Sequence, residues 1–442
     1  MEIEVELSPS VGRRSLVLTW CAVLVGWAVA TPFGFAASPV GDPFPIQVAP
    51  GVNNYPTAVV FNPNHEEFLV LYENHWSAET SDIYAQRISY DGTLLSWFAV
   101  VSGPNELYDH AYAAFSTAQD EYLIVWTTRD TSNPPPPFPD DDVQGRRVSW
   151  DGSWMGPVIA IADDVDRQLS SAVAYNAVDD EFLVVYGNAW SGSAWDIAAQ
   201  RIDANDGSLL SWANIATGTS RNRWSPNVAH DPLSNRYLIV YLAGQDEIRS
   251  KLAAADLSGV SVAPETTLFS DSTVSVSDKP GVVLGPGEFA VAWHQDSASD
   301  FTTRLRRVSL GGVPQGPAAG LHLLLADAGW GANERVEVAI GPEGEYFVTA
   351  EPDMMGTDSN IAARIAIPGV DATHGPRLDI VASLWEERFP AVACAPFGDC
   401  LVAYAGADPS FDHDVIGQFI RIHVFADGFE SGDLGAWTRT VP

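Results

Sequence analysis

The sequence predicts an all-β chain: a seven-bladed β-propeller of four-stranded antiparallel blades, closed by an N-terminal strand that joins the last blade. Three observations carry this. One pattern recurs seven times at about 55 residues. Each copy divides into four short runs of period-2 alternation. The seventh copy lacks its fourth run, and a spare one stands ahead of the first copy.

Each unit opens with a small apolar run, turns, and continues into an apolar run that ends on a large residue. In the first unit these are TAVVF, NPNHEE and FLVLY, followed by DIYAQRISYDG and TLLSWFAVV; in the third they are SAVAY, NAVDDE and FLVVY, followed by DIAAQRIDANDG and SLLSWANIA. The second run ends at Tyr72, Trp126, Tyr186, Tyr241, Trp293, about Ala350, and Tyr404. Strands a to d follow in each unit. Asp91-Gly92, Asp151-Gly152 and Asp206-Gly207 are c–d hairpin turns, where positive φ is needed. Strand a is built of small residues, which places it innermost, around the axis. Repeated four-stranded antiparallel units of this kind form a propeller.

The closing strand is FPIQVA, residues 44–49. Pairing it with the third strand of unit seven, at 414–422, removes two open sheet edges.

The units resemble the repeats of secreted bacterial β-propeller proteins and, more loosely, WD40-type propellers, although no Trp-Asp signature recurs. The resemblance covers residues 44–424 and implies fold, not activity. The tail, FADGFESGDLGAW within 425–442, resembles a short C-terminal element of secreted bacterial proteins. A sorting tag, an inert tail and a strand packed on blade seven all fit it.

Residues 1–36 read as a secretory signal peptide. Arg13 and Arg14 precede the apolar run at 15–30, and small residues offer cleavage after Ala30 or Ala36. The glutamates Glu2, Glu4 and Glu6 are out of place in such a leader, and translation from near Val11 would remove them. No other segment is long and apolar enough to span a bilayer. The expected address is secreted, periplasmic or cell-surface. Beyond the leader the cysteines are Cys394 and Cys400, flanking APFGD. A tight hairpin sets them opposite one another as a disulfide, which an oxidising compartment would close.

The formal net charge is −34. Such a surface repels nucleic acid and anionic membrane; a saline habitat or a genome-wide composition bias accounts for it equally. No phosphate-binding loop, serine-hydrolase elbow or zinc helix occurs. No metal and no cofactor is expected. The DANDG run at 203–207 and the SWDGSW run at 149–154 resemble a calcium loop and a sialidase Asp-box, but plain c–d turns explain both.

The b–c loops and d–a crossovers share one end, the top face. Trp76, Trp190 and Trp195 fall there, suited to stacking on sugar rings or anchoring a protein, or else to packing between blades. Acids crowd the same loops: Asp140, Asp141 and Asp142 in blade two, and Asp408, Asp412 and Asp414 in blade seven. They fit a glycosidase pair or simply solvated loops. Just ahead of strand a in six of the seven units stands an acid or amide followed by a base; in the first the place falls to Asn53-Asn54. The bases are His110, Arg167, Arg223, Lys279, Arg335 and Arg388. Ringing the channel mouth, they would tie blades together or hold an anion.

The expectation is therefore a non-catalytic binding or scaffold propeller, a monomer, holding a glycan or a surface protein over its top face. The competing expectation is a secreted polysaccharide hydrolase or lyase using that face.

Overall fold

In a computed structural model of the chain, the described residues are 34–425, apart from Pro50, 78–79, Asn105, 132–140, Val165, 191–193, 219–220, 297–300, 324–334, 352–359, 371–374, 382–386 and 408–411. The expected signal peptide lies, up to residue 33, outside the described residues, and so does the tail from residue 426.

The first strand is β1 (Gly34–Gln47). Blade one holds β2 (Asn53–Asn62), β3 (Glu67–Ser77), β4 (Thr80–Ser89) and β5 (Leu94–Val101). Blade two holds β6 (Glu106–Ser116), β7 (Glu121–Asp130), β8 (Asp141–Ser149) and β9 (Ile159–Ala162). Blade three holds β10 (Arg167–Asn176), β11 (Glu181–Trp190), β12 (Ala194–Asp203) and β13 (Leu209–Ala216). Blade four holds β14 (Arg223–Asp231), β15 (Arg236–Ala243), β16 (Glu247–Ala254) and β17 (Thr266–Ser270). Blade five holds β18 (Ser275–Gly285), β19 (Glu288–Asp296), β20 (Phe301–Ser309) and β21 (Leu321–His322). Blade six holds β22 (Val336–Ile340), β23 (Tyr346–Ala350), β24 (Ile361–Ala366) and β25 (Leu378–Val381). Blade seven holds β26 (Glu387–Cys394), β27 (Cys400–Ala407), β28 (His413–Phe425) and, as its outermost strand, β1.

The closing strand thus joins β28 as the sequence predicts, but it runs from Gly34 to Gln47 rather than over 44–49. Its inward side chains fix it: Ile46 is buried, and Phe44 stacks on Phe419 with ring centroids 5.7 Å apart. Past its end, Asp412 Oδ2 accepts from the Gly51 amide at 2.8 Å and Asp414 Oδ1 from the Ala49 amide at 3.3 Å. These two acids therefore hold the closure.

The apolar core is divided into seven clusters, one in each gap between neighbouring blades, including the gap between blades seven and one. This follows from the strands. The second strand of each blade is apolar on both faces, so each face packs against a different neighbour. The Asp-Gly turns form as expected, with Gly92, Gly152 and Gly207 at φ of 87°, 95° and 78°. Cys394 and Cys400 face each other across β26 and β27 and are joined as a disulfide.

Candidate functional site

The axis is where the sequence and the structure differ most. The small-residue strands are innermost, as the sequence predicts. What their small runs do not announce is that long side chains cross the axis. Lys279, on β18, donates to the Ser171 carbonyl of blade three at 2.7 Å. Its ammonium sits 3.6 Å from the ring centre of Tyr112 of blade two. Arg335, beside β22, donates to the carbonyls of Pro56 and Thr57 in blade one and, at 2.8 Å, to the Tyr112 hydroxyl. None of these partners lies in an adjacent blade, so the contacts run across the axis.

The carbonyls are available because the innermost strands are bulged. Ladder register is broken at Pro56/Ala58, Asp109/Tyr112, Leu169/Ala172, Trp224/Asn227, Ser277/Gly281 and Arg388/Ala391. A bulge leaves backbone groups without ladder partners, and buried carbonyls need donors. The cations supply them, as does Asn227 Nδ2 to the Pro280 carbonyl at 3.1 Å. The sequence hides these bulges because no glycine marks them. The left-handed residues are His110, Ser170, Ser225 and Phe389, at φ of 50° to 56°.

The bulges also correct the placement of the basic residues. The innermost strands begin earlier than expected, so His110, Lys279 and Arg388 lie inside them, and Arg167 and Arg223 are first residues. Aligned on the left-handed residue, Arg167, Arg223, Arg388 and His110 occupy four successive positions rather than one. Their contacts differ accordingly. Arg167 Nε donates to Asp141 Oδ2 at 2.5 Å, and the fully buried Asp141 also takes Arg129, tying blades two and three. Arg223, buried, donates to Glu265 Oε1 at 3.0 Å within blade four. Arg388 lies 3.8 Å from Glu351, its side chain 41% exposed.

His110 is the most open of the six, with a side chain 54% exposed. Its Nδ1 meets Asp109 Oδ1 at 2.7 Å, and its amide donates to Glu73 Oε1 at 2.7 Å. Enclosure in the channel wall lowers its pKa, but Asp109, with Glu73 behind it, more than offsets this and raises it to about 9. His110 is therefore a cation at neutral pH. Glu351 repeats the Glu73 arrangement, accepting from the Phe389 amide at 3.2 Å. Neither carboxylate was evident as a bulge partner in the sequence, although both directly follow the last apolar residue of a second strand.

Of the tryptophans, Trp76 is the penultimate residue of β3, is 58% exposed, and donates to Asp82 Oδ2 at 3.0 Å. Trp195 is half-buried under Arg167, whose guanidinium carbon sits 5.5 Å from its ring centre. The backbone of Trp190 closes the same hairpin opposite Ala194; its side chain is outside the described residues. Asp140 and Asp408 are outside them too. Asp142 lies within β8 opposite Thr128. A different acid pair stands at the top of blade two, where Glu106 and Asp130 face each other across β6 and β7. Burial, followed by the charge of Asp130, raises the Glu106 pKa against a hydrogen bond from Thr128.

Among the described residues no group of three or more His, Cys, Asp or Glu is placed to hold a metal ion, and no helix is long and apolar enough to cross a membrane.

No protein-family model matches the chain, and no curated protein matches it in sequence. Solved structures do match in shape. A protein of unknown function from Dyadobacter fermentans is similar at a TM-score of 0.54 and 13% identity, over 88% of this chain and 99% of the other. The WD40 repeats of RRP9 are similar at 0.49 and 10% identity, over 88% and 99%. The Hadza microbial sialidase Hz136 is similar at 0.45 and 10% identity, over 86% and 94%. At such identities the likeness is one of fold alone.

Proposed function

We propose that this is an exported binding propeller that holds an anionic glycan, such as a uronic-acid chain, or an acidic patch of a surface protein over its top face. The observation that carries the reading is the division of labour among the basic side chains. Lys279 and Arg335 cross the axis. Above that floor, His110 and Arg388 keep the largest exposure among the six. A ligand would rest on the floor rather than thread the channel. Trp76 at the rim offers an indole for stacking.

A second reading, a polysaccharide hydrolase or lyase, is favoured by the Glu106–Asp130 pair. One acid with a raised pKa opposite another is the arrangement that general acid catalysis uses.

Calorimetry with oligogalacturonate separates the two. Binding is expected near pH 7 without new chain ends, and replacing both His110 and Arg388 with Ala should weaken it about tenfold, a change of about 1.4 kcal/mol. Raising the pH through about 9 should weaken it as His110 loses its proton. Unchanged binding in the double variant overturns the binding reading. New reducing or unsaturated ends, lost in Glu106→Gln, would establish the enzyme.

A further inference from the structure

The outer edge of the propeller carries a feature that the top face does not explain. Blades one and three expose the same run, Leu-Leu-Ser-Trp, on their outermost strands. Trp97 is 63% exposed and Trp212 57%, with Leu94, Leu95, Leu209 and Leu210 beside them. Between them in sequence order, blade two exposes Trp154 at 57%.

The strands that carry Trp97 and Trp212 are held in the same way. Trp97 stands opposite Gln86 and Trp212 opposite Gln200, the same register in both blades. Gln86 Nε2 donates to the Leu95 carbonyl and Gln200 Nε2 to the Leu210 carbonyl, both at 2.9 Å. Arg87 Nη1 donates to Ser96 Oγ at 3.0 Å and Arg201 Nη1 to Ser211 Oγ at 2.9 Å. The two platforms are thus built from the same contacts. Trp154 is held through its ring: its Nε1 donates to the Ala99 carbonyl of blade one at 3.0 Å, and the Arg146 guanidinium covers its ring at 3.9 Å. A ring held before binding, as that of Trp154 is, loses little side-chain entropy on contact, and the strands that carry Trp97 and Trp212 are held alike. Exposed aromatics on an edge strand would otherwise be an aggregation liability.

We infer that this edge is a second binding site, for a neutral, uncharged polysaccharide, with the three indoles as stacking platforms. Two arguments select the occupant. First, blades one and three lie two sevenths of a turn apart, so their outer edges point roughly 100° apart. A flat partner, including a second copy of this chain, cannot cover both edges at once. A linear polymer can follow the curve, and a repeated site suits a repeating ligand. Second, the net charge of −34 disfavours a polyanion away from the basic mouth.

The test is sedimentation of the full chain with insoluble cellulose, chitin and β-1,3-glucan. The wild type should co-sediment with at least one of them. Replacing Trp97 and Trp212 together with Ala should lower the affinity about tenfold, and adding Trp154→Ala should abolish co-sedimentation. All three side chains are surface-exposed, so folding should survive, and an unchanged circular dichroism melt confirms it. Replacing His110 and Arg388 should leave co-sedimentation intact, which separates this site from the mouth. Absence of co-sedimentation with every polymer overturns the proposal, as does retention by the triple variant. A dimer by light scattering that the triple variant dissolves would show instead that copies of the chain pair through this edge.

Discussion

Blade three and blade six occupy the same ring, yet they are built to different standards. The strands of blade three run 10, 10, 10 and 8 residues; those of blade six run 5, 5, 6 and 4. Both place a buried glutamate just before or at the start of the second strand, Glu181 and Glu345. In blade three that acid is fully used. Arg201 donates to it from Nε at 2.9 Å and from Nη2 at 2.5 Å, and the Tyr237 hydroxyl of blade four reaches it at 3.4 Å. In blade six the position of the arginine, facing the residue two after the acid, is Ile365. The position of the tyrosine is Cys400, which the disulfide occupies. Glu345 keeps the Glu343 amide on one oxygen at 3.0 Å, while its Oε1 is buried without a partner.

The difference shows what holds a blade. The pairs Glu67–Arg87, Glu121–Arg147 and Glu288–Arg307 repeat the arrangement in blades one, two and five. Each pins the second strand to the third from within the sheet. Blade four omits it coherently: Arg236 replaces the acid, Leu252 the arginine and Phe289 the next blade's tyrosine. Among the described residues, blade six alone retains the charge without these partners.

The comparison breaks most visibly at Arg201. Removing one member of a buried, bidentate pair strands the other charge, so Arg201→Ala should cost about 3–5 kcal/mol. Urea denaturation measures it. A loss below about 1 kcal/mol would mean that the pair does not distinguish the two blades.

A smaller effect is expected at the next-blade tyrosine. Tyr237→Phe removes the hydroxyl that reaches Glu181 and should cost about 1.5 kcal/mol, since a hydrogen bond to a charged group is lost. Leu252→Met, in the blade that has no such acid, serves as the packing control and should cost less.

How much of this could be read in the sequence follows the same contrast. The blades with intact pairs are the ones whose repeats were plain, because long strands give long alternation. The second strand of blade six could be placed only at about Ala350, since five residues carry little period. The Glu–Arg pairs left a signal that went unread: a glutamate just before FLV-like runs and an arginine after Gln in the third strand, as in Gln86-Arg87 and Gln200-Arg201. The basic residues of the innermost strands were noticed for their rhythm, but the rhythm misled about level. The bulges that shift them place His110, Ser170, Ser225 and Phe389 in the left-handed region, and no glycine stands at these four positions to announce it. The outer tryptophans were visible as LLSW in both units, but strand d could not be known to leave them uncovered.

The finest discrimination comes from Glu345 itself. Burial raises its pKa above the ordinary glutamate value, and the backbone amides that oppose the shift do not cancel it. A carboxyl whose folded pKa is raised holds its proton more tightly in the fold than in the unfolded chain. Its contribution to stability is complete below the unfolded pKa, near 4.5, and is lost as pH rises through the folded value. Once ionised, Glu345 is a buried carboxylate with one oxygen unsatisfied. Glu345→Gln keeps the shape and the acceptor for the Glu343 amide but removes the titration. The variant should be more stable by about 1 kcal/mol at pH 8, and the gain should be smaller at pH 4, where the carboxyl is taking up its proton. Parallel urea titrations at the two pH values measure it. The same substitution at Glu181 should have the opposite sign at pH 8, because it takes a charge away from Arg201. If Glu345→Gln destabilises at both pH values, the acid has a partner of its own, and blade six is no weaker than blade three.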